Sequence, residues 1–174
     1  MIWEEEIPMT NRKKLRKLTL CAAIAALYAA LTIVTAPFSY GLVQFRLSEA
    51  FVALCAIEPI LGIGITLGCF LANFFSTVTV LDVVIGTAAT ALACLWTAKC
   101  KRSWLIPLPN VLVNAALVGG MLAFVLFPEN VEVGFAVAAA QVGFGELVVM
   151  YALGLPLYLY VKKIDLIPRL LEDR

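Results

Sequence analysis

Along this chain the apolar residues come in long blocks, not in alternation and not in narrow stripes. The blocks cover residues 18–36, 47–57, 60–76, 80–98, 104–127 and 135–161. Several reach the roughly 20 residues that carry a helix across the hydrocarbon core of a bilayer. Pro37 ends the first block, and Glu58-Pro59 separates the second from the third. A proline suits the first turn of a new helix. The second block is short, so the number of spans rests on whether Glu58-Pro59 is a true break.

Basic residues settle the expectation. Lys and Arg gather in cytoplasmic loops and near span ends, whereas acids carry little weight. Of 13 basic residues, five lie in 12–17, three in 99–102 and four in 162–174, which leaves Arg46 alone. If all three clusters are inside, an even number of spans must separate the first two. A break at Glu58-Pro59 gives four; a fusion gives three. The pattern predicts an all-α, multi-pass protein of the cell membrane with six transmembrane helices and both termini cytoplasmic. Residues 1–17 form a cytoplasmic tail, 18–161 the membrane domain and 162–174 a second tail. The loop over 127–134 holds Glu129 and Glu132 without a basic residue, and is expected outside. The basic patch before the first block resembles a signal peptide, but the run is long and more spans follow, so it is expected to be retained. Trp3, Trp104, Tyr158 and Tyr160 fall at the expected interfaces, where amphipathic rings are favoured.

Composition narrows the chemistry. Apolar residues make up 63% and charged residues 14%, against about 45–50% and about 25% in soluble chains; mean hydropathy is +0.98. A net charge of +1 offers no nucleic-acid surface. There is no histidine, which removes the usual general base near neutral pH. Cys21, Cys55, Cys69, Cys94 and Cys100 form no CxxC pair and read as small packing residues. No metal-ligand cluster and no phosphate-binding loop of the G-x-x-x-x-G-K-[ST] type occurs. An enzyme is the least supported class, and active uptake would need an ATPase partner or an ion gradient.

Polar residues inside membrane spans are costly and are functional hypotheses by default. Arg46 is the one basic residue expected near the outer face, and Glu49 follows it by i, i+3, so the two share a helix face. Counting depth from the expected ends puts Gln44, Arg46, Glu49, Asn73 and Asp82 towards the outside. Gln141 lies about two turns in, and Glu146 roughly 18 Å in, level with Asn114. The alternative is that such groups only tie helices together. Asn110, flanked by Pro107 and Pro109, is read as structural, and Glu58 as a hydrated turn residue. Ala22, Ala26 and Ala30 place small residues at four-residue spacing on helix 1, a face suited to close helix packing or to a partner subunit. Gly62, Gly64 and Gly68 on helix 3 offer the same.

Ordered blocks along the chain resemble the QueT family. They are Pro37-Phe38-Ser39-Tyr40-Gly41, then Val43-Gln44-Phe45-Arg46-Leu47-Ser48-Glu49-Ala50, Gly68-Cys69-Phe70-Leu71-Ala72-Asn73 and Leu81-Asp82-Val83-Val84-Ile85-Gly86-Thr87. Pro109-Asn110-Val111-Leu112-Val113-Asn114-Ala115, Gly143-Phe144-Gly145-Glu146-Leu147 and Leu153-Gly154-Leu155-Pro156-Leu157 follow. The resemblance implies a substrate-binding S-component of an energy-coupling-factor transporter, with a six-helix bundle. Its partners would be a transmembrane coupling subunit and two ATPases, which use the ATP; this chain would bind no cofactor. The implied cargo is a queuosine precursor, 7-aminomethyl-7-deazaguanine or a relative such as queuine. Such a base has a carbonyl acceptor beside N–H and NH₂ donors, and a cationic arm. Glu49, Asp82 and Glu146 would accept, and Gln44, Arg46, Asn73, Asn114 and Gln141 would donate. Phe38, Tyr40 and Phe45 would form an outer lid. The rival readings are an S-component for another vitamin or nucleobase, and an autonomous small-solute carrier or channel.

Overall fold

The computed structural model describes residues 9–40, 44–76 and 79–171, and no strand occurs among them. The main helices are α1 (Met9–Val34), α2 (Leu47–Ala56), α3 (Leu61–Asn73), α4 (Leu81–Thr97), α5 (Leu108–Leu126) and α6 (Val131–Lys163), followed by the short α7 (Leu166–Leu171). Three stretches, Arg12–Val34, Ser103–Leu126 and Val131–Lys163, are long and apolar enough to cross a membrane; α2, α3 and α4 are shorter apolar helices.

Each departure from the expected boundaries has a local cause. Helix α1 starts at Met9, so the described part of the expected N-terminal tail is helical and continuous with the first span. Its residues Lys13, Lys14, Leu15, Arg16 and Lys17 are good helix formers. The start of the tail, with Trp3, lies outside the described residues. Pro107 and Pro109 delay α5: a 3₁₀ turn at Ser103–Leu105 precedes the helix proper, which has proline in its first turn. At the other end of the chain, Asp165 takes a left-handed turn with φ 54°, a conformation aspartate tolerates. That turn folds α7 back onto α1, where Ile167 joins the core. The expected C-terminal tail therefore packs on the bundle as far as Leu171; 172–174 lie outside the described residues.

Helix α2 differs most from expectation. It is a 3₁₀ helix, and Ser48, Glu49, Ala50, Val52, Ala53, Leu54 and Cys55 are all buried in it. At about 2.0 Å per residue it spans about 20 Å, short of the roughly 30 Å hydrocarbon core. It contacts α1, α3, α4 and both halves of α6, so it forms a central post. Two glycines let α6 come close. A Cβ on Gly145 would land 2.2 Å from the Gln44 carbonyl oxygen, and one on Gly154 would meet the Ala50 oxygen at 3.4 Å. Gly154 ends a π-helical turn, Met150–Gly154. Such a turn absorbs irregularity in the ladder just ahead of Pro156, which lacks an amide proton.

Close packing of α1 on α3 uses the same device. A Cβ on Gly64 would strike the Cys21 carbonyl at 2.3 Å, and one on Gly68 would strike Ala25 at 2.6 Å and the Tyr28 Cβ at 2.8 Å. Gly62 lies against Cys94. Gly64 and Gly68 thus serve the packing of α1 on α3 within the bundle. Ala22, Ala26 and Ala30 lie on the other side of α1 and are exposed.

The ends of the bundle differ in charge. Lys17 pairs with Glu58 at 3.6 Å, and Lys13, Lys17, Glu58 and α7 line one groove. The contact of Gly62 with Cys94 brings the 99–102 turn to this same basic end. Exposed Glu129 and Glu132 mark the opposite end.

Candidate functional site

The polar residues of the helices converge around the N-terminal half of α2. Glu49, at 0% exposure, is the hub. Its Oε1 accepts from Tyr28 Oη at 2.5 Å and from Thr90 Oγ1 at 3.1 Å, and lies 3.7 Å from Arg46 Nη1. Those three partners come from α1, α4 and the entry to α2, so the carboxylate joins three parts of the fold. Thr90 also reaches Cys69 Sγ at 3.2 Å. With one hydroxyl proton, it serves one of the two acceptors at a time.

Arg46 is 1% exposed. Its guanidinium lies 5.5 Å from the centre of the Tyr40 ring, a cation–π distance, and Nη1 is 3.8 Å from Cys69 Sγ. Nε and Nη2 are buried without a partner. These two atoms form the side-on edge of the guanidinium fork, suited to a planar acceptor. A buried cation with an unsatisfied edge is costly, and it is the kind of cost that a bound polar molecule relieves.

A second branch runs along α3 and α4. Asn73 Nδ2 donates to the Asp82 carbonyl at 2.9 Å and approaches Cys69 Sγ at 3.3 Å. Ser76 Oγ donates to Asp82 Oδ2 at 2.5 Å. Asp82 sits in the first turn of α4, where the helix dipole favours a carboxylate. Gly86 makes room for this branch, since a Cβ there would approach Asn73 Nδ2 to 2.9 Å. Asn73 Oδ1 and Asp82 Oδ1 remain buried and unpartnered. Asn73 therefore faces the site as an acceptor, its donor being spent on the backbone.

The third branch joins α5 to α6. Glu146 Oε2 accepts from Asn110 Nδ2 at 2.8 Å. Asn114 Nδ2 donates to the Asn110 Oδ1 at 3.1 Å, which holds the Asn110 amide with its NH₂ towards Glu146. Asn114 thus acts through Asn110 and has no donor left over. Glu146 interacts electrostatically with both Glu49 and Arg46. Gln44, 1% exposed, leaves Nε2 unpartnered. Gln141 is half-buried, with Oε1 unpartnered, one helical turn from the Gly145 that abuts the Gln44 backbone.

Three groups have surroundings that the sequence does not reveal. Asn110 is the direct hydrogen-bond partner of Glu146. Helix α6 starts at Val131 rather than near Gly134, so Glu146 lies about 22 Å along it. That places it level with Asn110, one turn from Asn114. Cys69, taken as a packing thiol, receives side-chain donors from Asn73, Thr90 and Arg46. Tyr28 and Thr90 carried no signal beyond being polar-tipped residues in apolar runs.

The three residues named for a lid lie in different surroundings. Tyr40 is buried, donating to the Ala72 carbonyl at 2.6 Å. Phe45 packs edge-on against Phe144 at 6.4 Å, while Phe38 is 67% exposed. The Phe45 amide donates to the Phe38 carbonyl at 2.9 Å. Residues 41–43 of this stretch lie outside the described residues.

What the arrangement offers chemically is a buried set of unused donors and acceptors. It presents unpartnered donors on Gln44 and Arg46, and unpartnered acceptors on Glu49, Asn73, Asp82 and Gln141. No group of three or more metal-ligating side chains occurs among the described residues.

Comparison with known proteins agrees with a carrier. A curated relative, the queuosine precursor transporter QueT of Lactococcus lactis subsp. cremoris (strain MG1363), is 35% identical over 82 residues, which are 46% of this chain. The matched region spans about half of that relative's length, 48%. No solved structure matches the chain. A family model described as QueT transporter covers residues 18–163, a range that takes in α2 to α6, most of α1 and every polar branch just described. This multi-pass membrane protein therefore belongs to the QueT transporter family.

Proposed function

We propose that the chain is the substrate-binding S-component of an energy-coupling-factor importer and captures a queuosine precursor. The observation that carries the reading is the set of buried, unpartnered donors and acceptors around Arg46 and Glu49. A deazaguanine has complementary groups: its ring carbonyl suits the free Arg46 edge, and its N–H and NH₂ donors suit Glu49 Oε2 and Asp82 Oδ1. A cationic aminomethyl arm suits Glu146. The name of the Lactococcus relative supports the same cargo.

In this reading the bundle crosses the membrane six times, with the basic end in the cytoplasm. Substrate enters from the opposite end, beneath the stretch from Pro37 to Arg46. The exposed alanine face of α1 meets the coupling subunit, and paired ATPases drive release.

The test is ligand-induced stabilisation of the purified full chain, since a ligand stabilises only the state it binds. The panel is 7-aminomethyl-7-deazaguanine, queuine, guanine and an unrelated vitamin. Stabilisation by the deazaguanines alone is the expected result, and stabilisation by the vitamin alone overturns the cargo. Uptake by vesicles that contain only this chain overturns the S-component assignment.

A further inference from the structure

A second site lies on the outside of the bundle, where α3 and α4 enclose a groove of about 480 Å³. Its floor is made of small residues, Gly62, Ala91 and Cys94, and its walls of Ile63, Leu67 and Leu95. Those three wall residues are 62%, 49% and 64% exposed. They lie on apolar helices of a membrane protein, where an exposed apolar wall suits a hydrocarbon chain.

Two features give the groove direction. It extends along α3 from Pro59 to Phe70 and along α4 from Thr87 to Ala98. That is about 16 Å at 1.5 Å per residue, close to half of the roughly 30 Å core and so to one leaflet. At its basic end Ala98 is followed by Lys99, Lys101 and Arg102, all exposed. The nearby carboxylate, Glu58, is engaged by Lys17 at 3.6 Å. Trp104, 57% exposed in the same connection, is suited to the headgroup level.

We propose that this groove binds an anionic phospholipid of the leaflet at the basic end, with one acyl chain against the Gly62–Ala91–Cys94 floor and the phosphate held by Lys99, Lys101 and Arg102. Apolar length and positive charge are placed in the order such a lipid requires. Thr87, in the groove wall, accepts from Asn73 at 3.4 Å, so the lipid lies one residue away from the polar site.

The test is lipid retention by the full chain, purified in detergent and offered equal phosphatidylglycerol and phosphatidylcholine of matched chains, read by native mass spectrometry. Phosphatidylglycerol is retained at least about tenfold over phosphatidylcholine by the unaltered protein. The triple variant Lys99→Gln, Lys101→Gln, Arg102→Gln retains the two alike. Ala91→Phe fills the floor and loses both. Should Ala91→Phe disturb the helix pair, Leu95→Ser on the exposed wall gives a partial loss of both. Equal retention by the unaltered protein, or a preference that survives the triple variant, overturns the proposal. If Ala91→Phe keeps its lipid but loses a co-purifying membrane protein, the groove belongs to a partner helix instead.

Discussion

Tyr28→Phe removes one donor to Glu49 and little else. The ring is wholly buried, and phenylalanine occupies the same volume; what is lost is Oη at 2.5 Å from Oε1. Hydrogen bonds to charged groups are worth roughly 1.5–3 kcal/mol. Between membrane helices the measured average is only about 0.6 kcal/mol, with a maximum near 1.7 kcal/mol. The low average reflects groups that find other partners. Glu49 has no such reserve, because the Thr90 proton is shared with Cys69 and Arg46 is 3.7 Å away. The expected loss is therefore at the top of the membrane range, about 1.5 kcal/mol, or about tenfold in precursor affinity. Calorimetric titration of the detergent-purified protein reads it. In a Glu49→Gln background the charge is gone, and the same change costs about 0.5–1 kcal/mol, an ordinary neutral bond. An identical loss in both backgrounds refutes the charge-assisted hub. A lower melting temperature with unchanged affinity would make Tyr28 a packing residue only.

Three further outcomes follow from the geometry. Glu146→Gln keeps an oxygen for Asn110 but removes the charge, and lowers affinity for the aminomethyl base more than for guanine; equal losses on both ligands remove Glu146 from the arm's site. Gly145→Val drives a side chain into the Gln44 carbonyl and lowers the thermal midpoint by an amount equivalent to 2 kcal/mol or more, in the manner of other overpacked sites at about 1–3 kcal/mol; an unchanged midpoint means that α6 does not seat on α2 this closely. Ala26→Leu, on the exposed side of α1, impairs recovery of the assembled complex in a pull-down while the isolated chain keeps its affinity, and a loss of both would discard the docking face.

The all-helical, multi-pass character could be read because long apolar blocks obey a simple rule of length. The Glu58-Pro59 break is one case: it separates α2 from α3. The 3₁₀ geometry of α2 was beyond reach, since ten residues of nearly uniform apolarity show no contrast between a period of 3.0 and one of 3.6. Within the candidate site, charges and amides announced themselves against a greasy background, whereas Tyr28, Cys69 and Thr90 resemble the residues of any packed helix. Their roles depend on which helix faces which, and that is set by Gly64, Gly68 and Gly145 at contacts distant in sequence. Counting from span ends levels Glu146 with Asn114, whereas its bond goes to Asn110 one turn away, because Pro107, Pro109 and the 127–131 turn set where α5 and α6 begin.

The central position of α2 also bears on how the protein is made. A ten-residue segment carrying Arg46 at its entry and Glu49 in its first turn is a poor substrate for independent insertion, as each such charge at mid-membrane adds about 2.5–3.5 kcal/mol on insertion scales. Left beside the translocation channel, it would be too short to span the lipid alone, and its charges would oppose partitioning. Its Tyr28 and Thr90 contacts arise from a helix synthesised before it and another synthesised well after it. The contacts of the post are thus complete only once α4 has been made, although the post is translated second.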